Sequence, residues 1–105
     1  MKRLLLLTAV VMLGALHVSQ AEAASAIKGK SLYQEICQKC HTQGGDGGVM
    51  VPSDKKKSEW EDFFNGDQHG GDPEMWEKLT RKKKKDLLLF FINYAIDSEK
   101  PDECG

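Results

Sequence analysis

Cys37 and Cys40 stand three residues apart, and His41 follows directly. On one helical turn, two such thiols can add across the two vinyl groups of a haem, and the histidine is then placed to bind the iron through an imidazole nitrogen. A Cys-x-x-Cys pair alone has other uses. Half of a zinc site needs a second Cys/His pair at similar spacing. Beyond the motif the chain offers only Cys104, His17 and His69, with no paired spacing. A dithiol redox pair of the thioredoxin kind belongs near a βαβ pattern, and none is visible. The histidine after the second cysteine decides the reading in favour of one covalently attached haem c.

The N-terminus points to export, the context in which c-type attachment belongs. Met1-Lys2-Arg3 is basic, Leu4 to Leu16 is apolar apart from Thr8 and Gly14, and Ala21-Glu22-Ala23 and Ala24-Ser25-Ala26 both fit small-x-small cleavage sites. Residues 1–26 therefore read as a secretory signal peptide, cut after Ala23 or after Ala26, with residues 27–105 as one domain in the periplasm. The apolar run is too short for a spanning helix, so no integral membrane segment is expected in the mature chain. From 15 basic and 16 acidic residues, losing Lys2, Arg3 and Glu22 leaves 13 and 15, a formal charge of −2. That balance argues against nucleic acid as a partner. A mature domain of about 80 residues has a marginal core, which a covalently held cofactor would complete.

The elements that must position these residues read as helices. Leu32, Tyr33, Ile36, Cys37 and Cys40 share one face of a helix begun near Ile27, so the cysteines point inward. Gly44 to Gly48 ends it and makes a tight loop, and Val49 to Pro52 then follows apolar surface. Ser58 is the expected cap of a short helix carrying Trp60, Phe63 and Phe64 on its inner face. Asn65 to Asp72 is a mobile Gly/Asp loop holding His69. Asp72-Pro73-Glu74 signals a helix start, with Met75, Trp76 and Leu79 at helical spacing. Thr80 caps a last helix, Arg81 to about Asp97, with Leu87, Leu88, Phe91, Ile92, Ala95 and Ile96 as its apolar set. No stretch alternates long enough for a strand. The expectation is an all-α domain of about four helices.

Taken in order, these residues resemble the class I cytochromes c, small monohaem electron carriers. Gly29 and Leu32-Tyr33 ahead of Cys37-Gln38-Lys39-Cys40-His41 are similar to the family's N-terminal helix and haem motif. Gly44 to Gly48 with Pro52 resembles its glycine-rich loop and the proline beside the proximal histidine, and Leu87 to Tyr94 its C-terminal helix. The resemblance implies that the two terminal helices cross at Gly29, near Phe91 or Tyr94. It also implies a bundle around one haem, with Cys37 and Cys40 as thioether links and His41 as proximal iron ligand. For the distal ligand it implies Met75, nineteen residues before Tyr94. His69 and Met50 remain the alternatives, Met50 having to share its loop with Pro52.

The functional expectation is a periplasmic one-electron carrier, not an enzyme: no acid/base or nucleophile constellation is present. A thioether opposite His41 would raise the potential, a second histidine would lower it, and a vacant position would bind small ligands. A haem-based sensor, a small haem enzyme with an open distal site, and a cytochrome subunit of a larger oxidoreductase are the alternatives. The partners would be redox proteins, with Arg81-Lys82-Lys83-Lys84-Lys85 as a candidate docking patch.

Overall fold

The computed structural model describes residues 24–101. Of the residues 1–26 read as a signal peptide, 1–23 lie outside the described residues, as does Cys104. Among those described, every regular element is helical and none is a strand. The order is α1 (Ala26–Leu32), a π-helical turn (Tyr33–Cys37), a 3-10 turn (Pro52–Asp54), α2 (Lys57–Asn65), α3 (Pro73–Lys78) and α4 (Arg81–Asn93). Among the described residues, no helix is long and apolar enough to cross a membrane.

The helix starts follow from local hydrogen bonding. Ser25 Oγ accepts from the Lys28 amide at 3.2 Å, Asp72 Oδ1 from the Met75 amide at 3.0 Å, and Thr80 Oγ1 from the Lys83 amide at 3.1 Å. Each satisfies an amide that the first turn leaves without a helical partner. Pro73 costs α3 nothing at its first position, where no amide is needed. The expected cap at Ser58 is displaced: α2 begins at Lys57, because the Lys57 amide is already taken by Asp97 Oδ1 at 2.8 Å. The last helix is shorter than its apolar pattern, ending at Asn93. The chain then turns so that the Ile96 amide reaches Lys55 O at 3.1 Å, which leaves Ile96 53% exposed instead of in the core.

α1 packs against α4 at a point where no side chain fits. A Cβ on Gly29 would lie 2.0 Å from Asp86 O and 2.9 Å from Phe90 Cβ. The crossing is therefore at Asp86 and Phe90, not at Phe91 or Tyr94. The buried Asp86 carboxylate closes this junction, accepting from the Ser25 amide at 2.8 Å and facing Lys82 Nζ at 3.6 Å.

The core is largely aromatic. Tyr33, Trp60, Phe64, Trp76, Leu79, Leu87, Phe90, Phe91 and Ala95 are buried together. Phe91 is its hub, with ring centroids 4.3 Å from Trp60, 5.6 Å from Tyr33, 5.8 Å from Phe64 and 5.5 Å from Phe90. Each such ring contributes about 1.5–3 kcal/mol by burial, and tilted or edge-on pairs add about 0.5–1.5 kcal/mol. The polar ends find carbonyls: Trp60 Nε1 donates to Pro52 O at 2.7 Å, and Tyr33 Oη donates to Met50 O. These two bonds tie the glycine-rich segment after the motif to α2 and the π turn.

Candidate haem site

The chain folds around a cavity of about 490 Å³, within the usual range for ligand sites. Cys37, Cys40, His41, Met50, His69 and Met75 all line it, joined by Trp60, Phe63, Phe64, Trp76, Leu87 and Phe91. Every residue singled out by the motif and by the search for a distal ligand thus meets in one place, against apolar walls.

The π turn delivers the motif. Gln38 N donates to Tyr33 O at 2.9 Å, a span of five residues, and His41 N then returns to Cys37 O at 2.9 Å. Cys37 is half-buried and Cys40 exposed. Burial pushes the Cys37 thiol up to about 11. That is the opposite of a dithiol catalyst, whose attacking cysteine sits at a helix N-terminus with a lowered pKa. Among the described residues no three His, Cys, Asp or Glu side chains gather to hold a metal ion.

His41 is seated by close packing against backbone. The Gly47 amide donates to Cys40 O at 2.9 Å, bringing Gly47 so near the ring that a Cβ there would lie 2.7 Å from Cε1 and 2.8 Å from Nδ1. Glycine is required for this approach. His41 Nδ1 is buried and has no hydrogen-bond partner. A half-buried imidazole held by its backbone cradle in the cavity wall, beside two thiols and an apolar void, has the donor set and shape a thioether-linked haem requires. The residues fit the group.

The opposite wall departs from expectation. His69 was expected in a mobile loop; it is half-buried and packed. Its ring centroid lies 6.0 Å from Trp76, 6.4 Å from Phe63 and 6.0 Å from His41. Its Nδ1 accepts from the Asp72 amide at 3.2 Å. The loop is pinned by Asp67, which takes a φ of 53°, a conformation Asp tolerates better than most residues. The Asp67 carboxylate accepts from Trp76 Nε1 at 3.1 Å and pairs with Lys84. Met75 is also half-buried and packs on the core from the first turn of α3. Met50 does so from the loop beside Pro52.

The Lys84 hydrogen bond is the main cause holding the Asp67 carboxyl below its ordinary value. A carboxyl lowered in the folded state adds stability above its unfolded pKa of about 3.9 and loses it as pH falls through the lowered folded value. Thermal melts of an Asp67→Asn variant are therefore expected to lie below those of the parent at neutral pH and to converge with them only once the pH has fallen below the lowered folded value. The difference is small, because Asp67 is 66% exposed and solvent screens the pair. A constant offset at all pH values would remove Asp67 from this role.

The five-cation run does not present one face. Lys82 is turned to Asp86 and Lys84 to Asp67, with Lys84 Nζ also 4.8 Å over the Trp76 ring. Arg81, Lys83 and Lys85 are exposed, and of these Lys83 lines the cavity along with Lys39 and Lys78.

Comparison with protein families, curated proteins and solved structures returned no match.

Proposed function

We propose that this chain is a monohaem c-type cytochrome that carries single electrons between partner proteins outside the cytoplasm. The observation that carries the reading is the convergence of Cys37, Cys40 and a cradled His41 on one apolar cavity. A haem c bound there supplies reversible one-electron exchange at iron. Cys37 and Cys40 would anchor it, and His41 would hold its iron. Gly47 holds the His41 ring in place, and the aromatic walls exclude water and so tune the potential. His69 or Met75, which line the same cavity, would supply a second iron ligand. Three lysines, Lys39, Lys78 and Lys83, line the cavity against two carboxylates, Asp72 and Glu74, a small positive excess that would favour an acidic redox partner. Of the run at Arg81–Lys85, Lys83 would then take part in docking, together with Lys39 and Lys78.

Expression with a c-type maturation system, followed by haem staining after denaturing electrophoresis and a potentiometric titration, tests the reading. The expected outcome is one covalent haem per chain and a single reversible one-electron wave. A high-spin ferric spectrum with rapid binding of added small ligands would favour the sensor or enzyme alternative, and absence of covalent haem would end the cytochrome reading.

A further inference from the structure

Resting on the haem reading, we propose that His69 is the axial ligand opposite His41, so that the iron is held by two histidines instead of a histidine and Met75. The observation behind it is the relation of the two rings. Imidazole nitrogens bind first-row metals at about 2.0–2.1 Å, so two rings on opposite sides of one ion have centroids about 6 Å apart once each ring's own radius is added. The His41 and His69 centroids are 6.0 Å apart, with ring planes at 74°. Both rings line the same cavity.

His69 is held there by contacts that a solvent-facing loop histidine would lack. Trp76 lies alongside it at an interplanar angle of 30°, and Phe63 meets it edge-on at 77°. Trp76 is itself fixed by Asp67, and Asp67 by Lys84. The chain thus spends an aromatic pair and a charged network on the position of one imidazole. Met75 lines the same cavity but also packs on the core from the first turn of α3.

One contact must change. The Asp72 amide donates to His69 Nδ1, which leaves the ring proton on Nε2. Binding iron through Nε2 moves that proton to Nδ1 and releases the Asp72 amide. Asp72 is exposed, so water can replace the lost bond at little cost. Two imidazoles would set a lower potential than an imidazole and a thioether, placing the carrier with low-potential partners.

The test uses the mature haem protein, with His69→Ala and Met75→Leu as separate variants. Leucine keeps the volume of methionine, so packing at 75 is largely preserved. The ferric parent should be low-spin, with a near-infrared transition characteristic of two imidazoles and none of thioether type. His69→Ala should lose the low-spin signal almost completely and regain it with added imidazole, while Met75→Leu keeps the parent spectrum. The reverse pattern, a parent thioether band, or a low-spin His69→Ala spectrum without added imidazole would overturn the assignment. If both variants become high-spin, the parent's near-infrared transition decides: two imidazoles uphold it and a thioether rejects it. Haem staining of the same samples separates these outcomes from failure of the cytochrome reading, which would show as loss of covalent haem in the parent itself.

Discussion

Replacing Cys37 and Cys40 together with serine is expected to abolish covalent haem and to cost the domain a large part of its stability. A thioether to a vinyl group needs a thiol, and among the described residues the thiols in the cavity wall are those of Cys37 and Cys40. With both gone, any haem retained by His41 and the aromatic walls would dissociate under denaturing conditions. The stability effect follows from mass action. A tethered group experiences an effective concentration of about millimolar, and a ligand held at about a thousand times its Kd stabilises the folded state by about 4 kcal/mol. For a small domain, that is comparable with the whole margin. Haem staining reads the first effect, and thermal unfolding followed by circular dichroism reads the second. Undiminished staining of the double variant would contradict thioether attachment. Either single variant should keep one link and stain at reduced intensity.

The second large effect needs no cofactor. Gly29→Ala is expected to destabilise the domain by about 3 kcal/mol or more, at the upper end of overpacking costs. The added carbon would meet Asp86 O at 2.0 Å, and that oxygen is main chain in the middle of α4, so no rotamer can withdraw it. α1 must shift away from α4. The shift would stretch the Ser25–Asp86 bond and leave a buried carboxylate short of a donor, adding to the penalty. Denaturant unfolding of Gly29→Ala beside an exposed control such as Lys28→Ala measures it. A difference below about 1 kcal/mol would mean the helices are less tightly apposed than the structure has them.

Much of the helical architecture was legible because capping chemistry is local. Thr80 and Asp72 need only amides three residues away, and both caps form as their sequence neighbourhoods imply. Phe90 was not picked out, because residues 87–92 are apolar without interruption and an unbroken run has no phase. Its burial is set by α1, through Gly29. His69 was misjudged for a related reason. Its glycine and aspartate neighbours describe a loop correctly, but what holds the ring is Trp76, itself anchored by an Asp67–Lys84 pair seventeen residues apart. The basic run was read as one patch because its charges are consecutive. A helix spreads consecutive residues around its axis, and two of the five lysine and arginine side chains turned to carboxylates. The Cys-x-x-Cys-His run itself needed no structure to be noticed; the cavity and the Gly47 cradle did.

The π turn at Tyr33–Cys37 bears on which insertions and deletions this chain can tolerate. Its five-residue hydrogen bond accommodates one residue more than an α-helical turn would. Deleting a single residue between Tyr33 and Cys37 would heal the turn into ordinary helix and, judged by propensity alone, would look harmless. Each residue of helix turns the chain by about 100°, so the deletion would swing Cys37, Cys40 and His41 around the axis by that angle relative to α1. α1 could not rotate to compensate, since Gly29 admits only one face to α4. Length variation is therefore barred from this segment even where the altered sequence would still be helical.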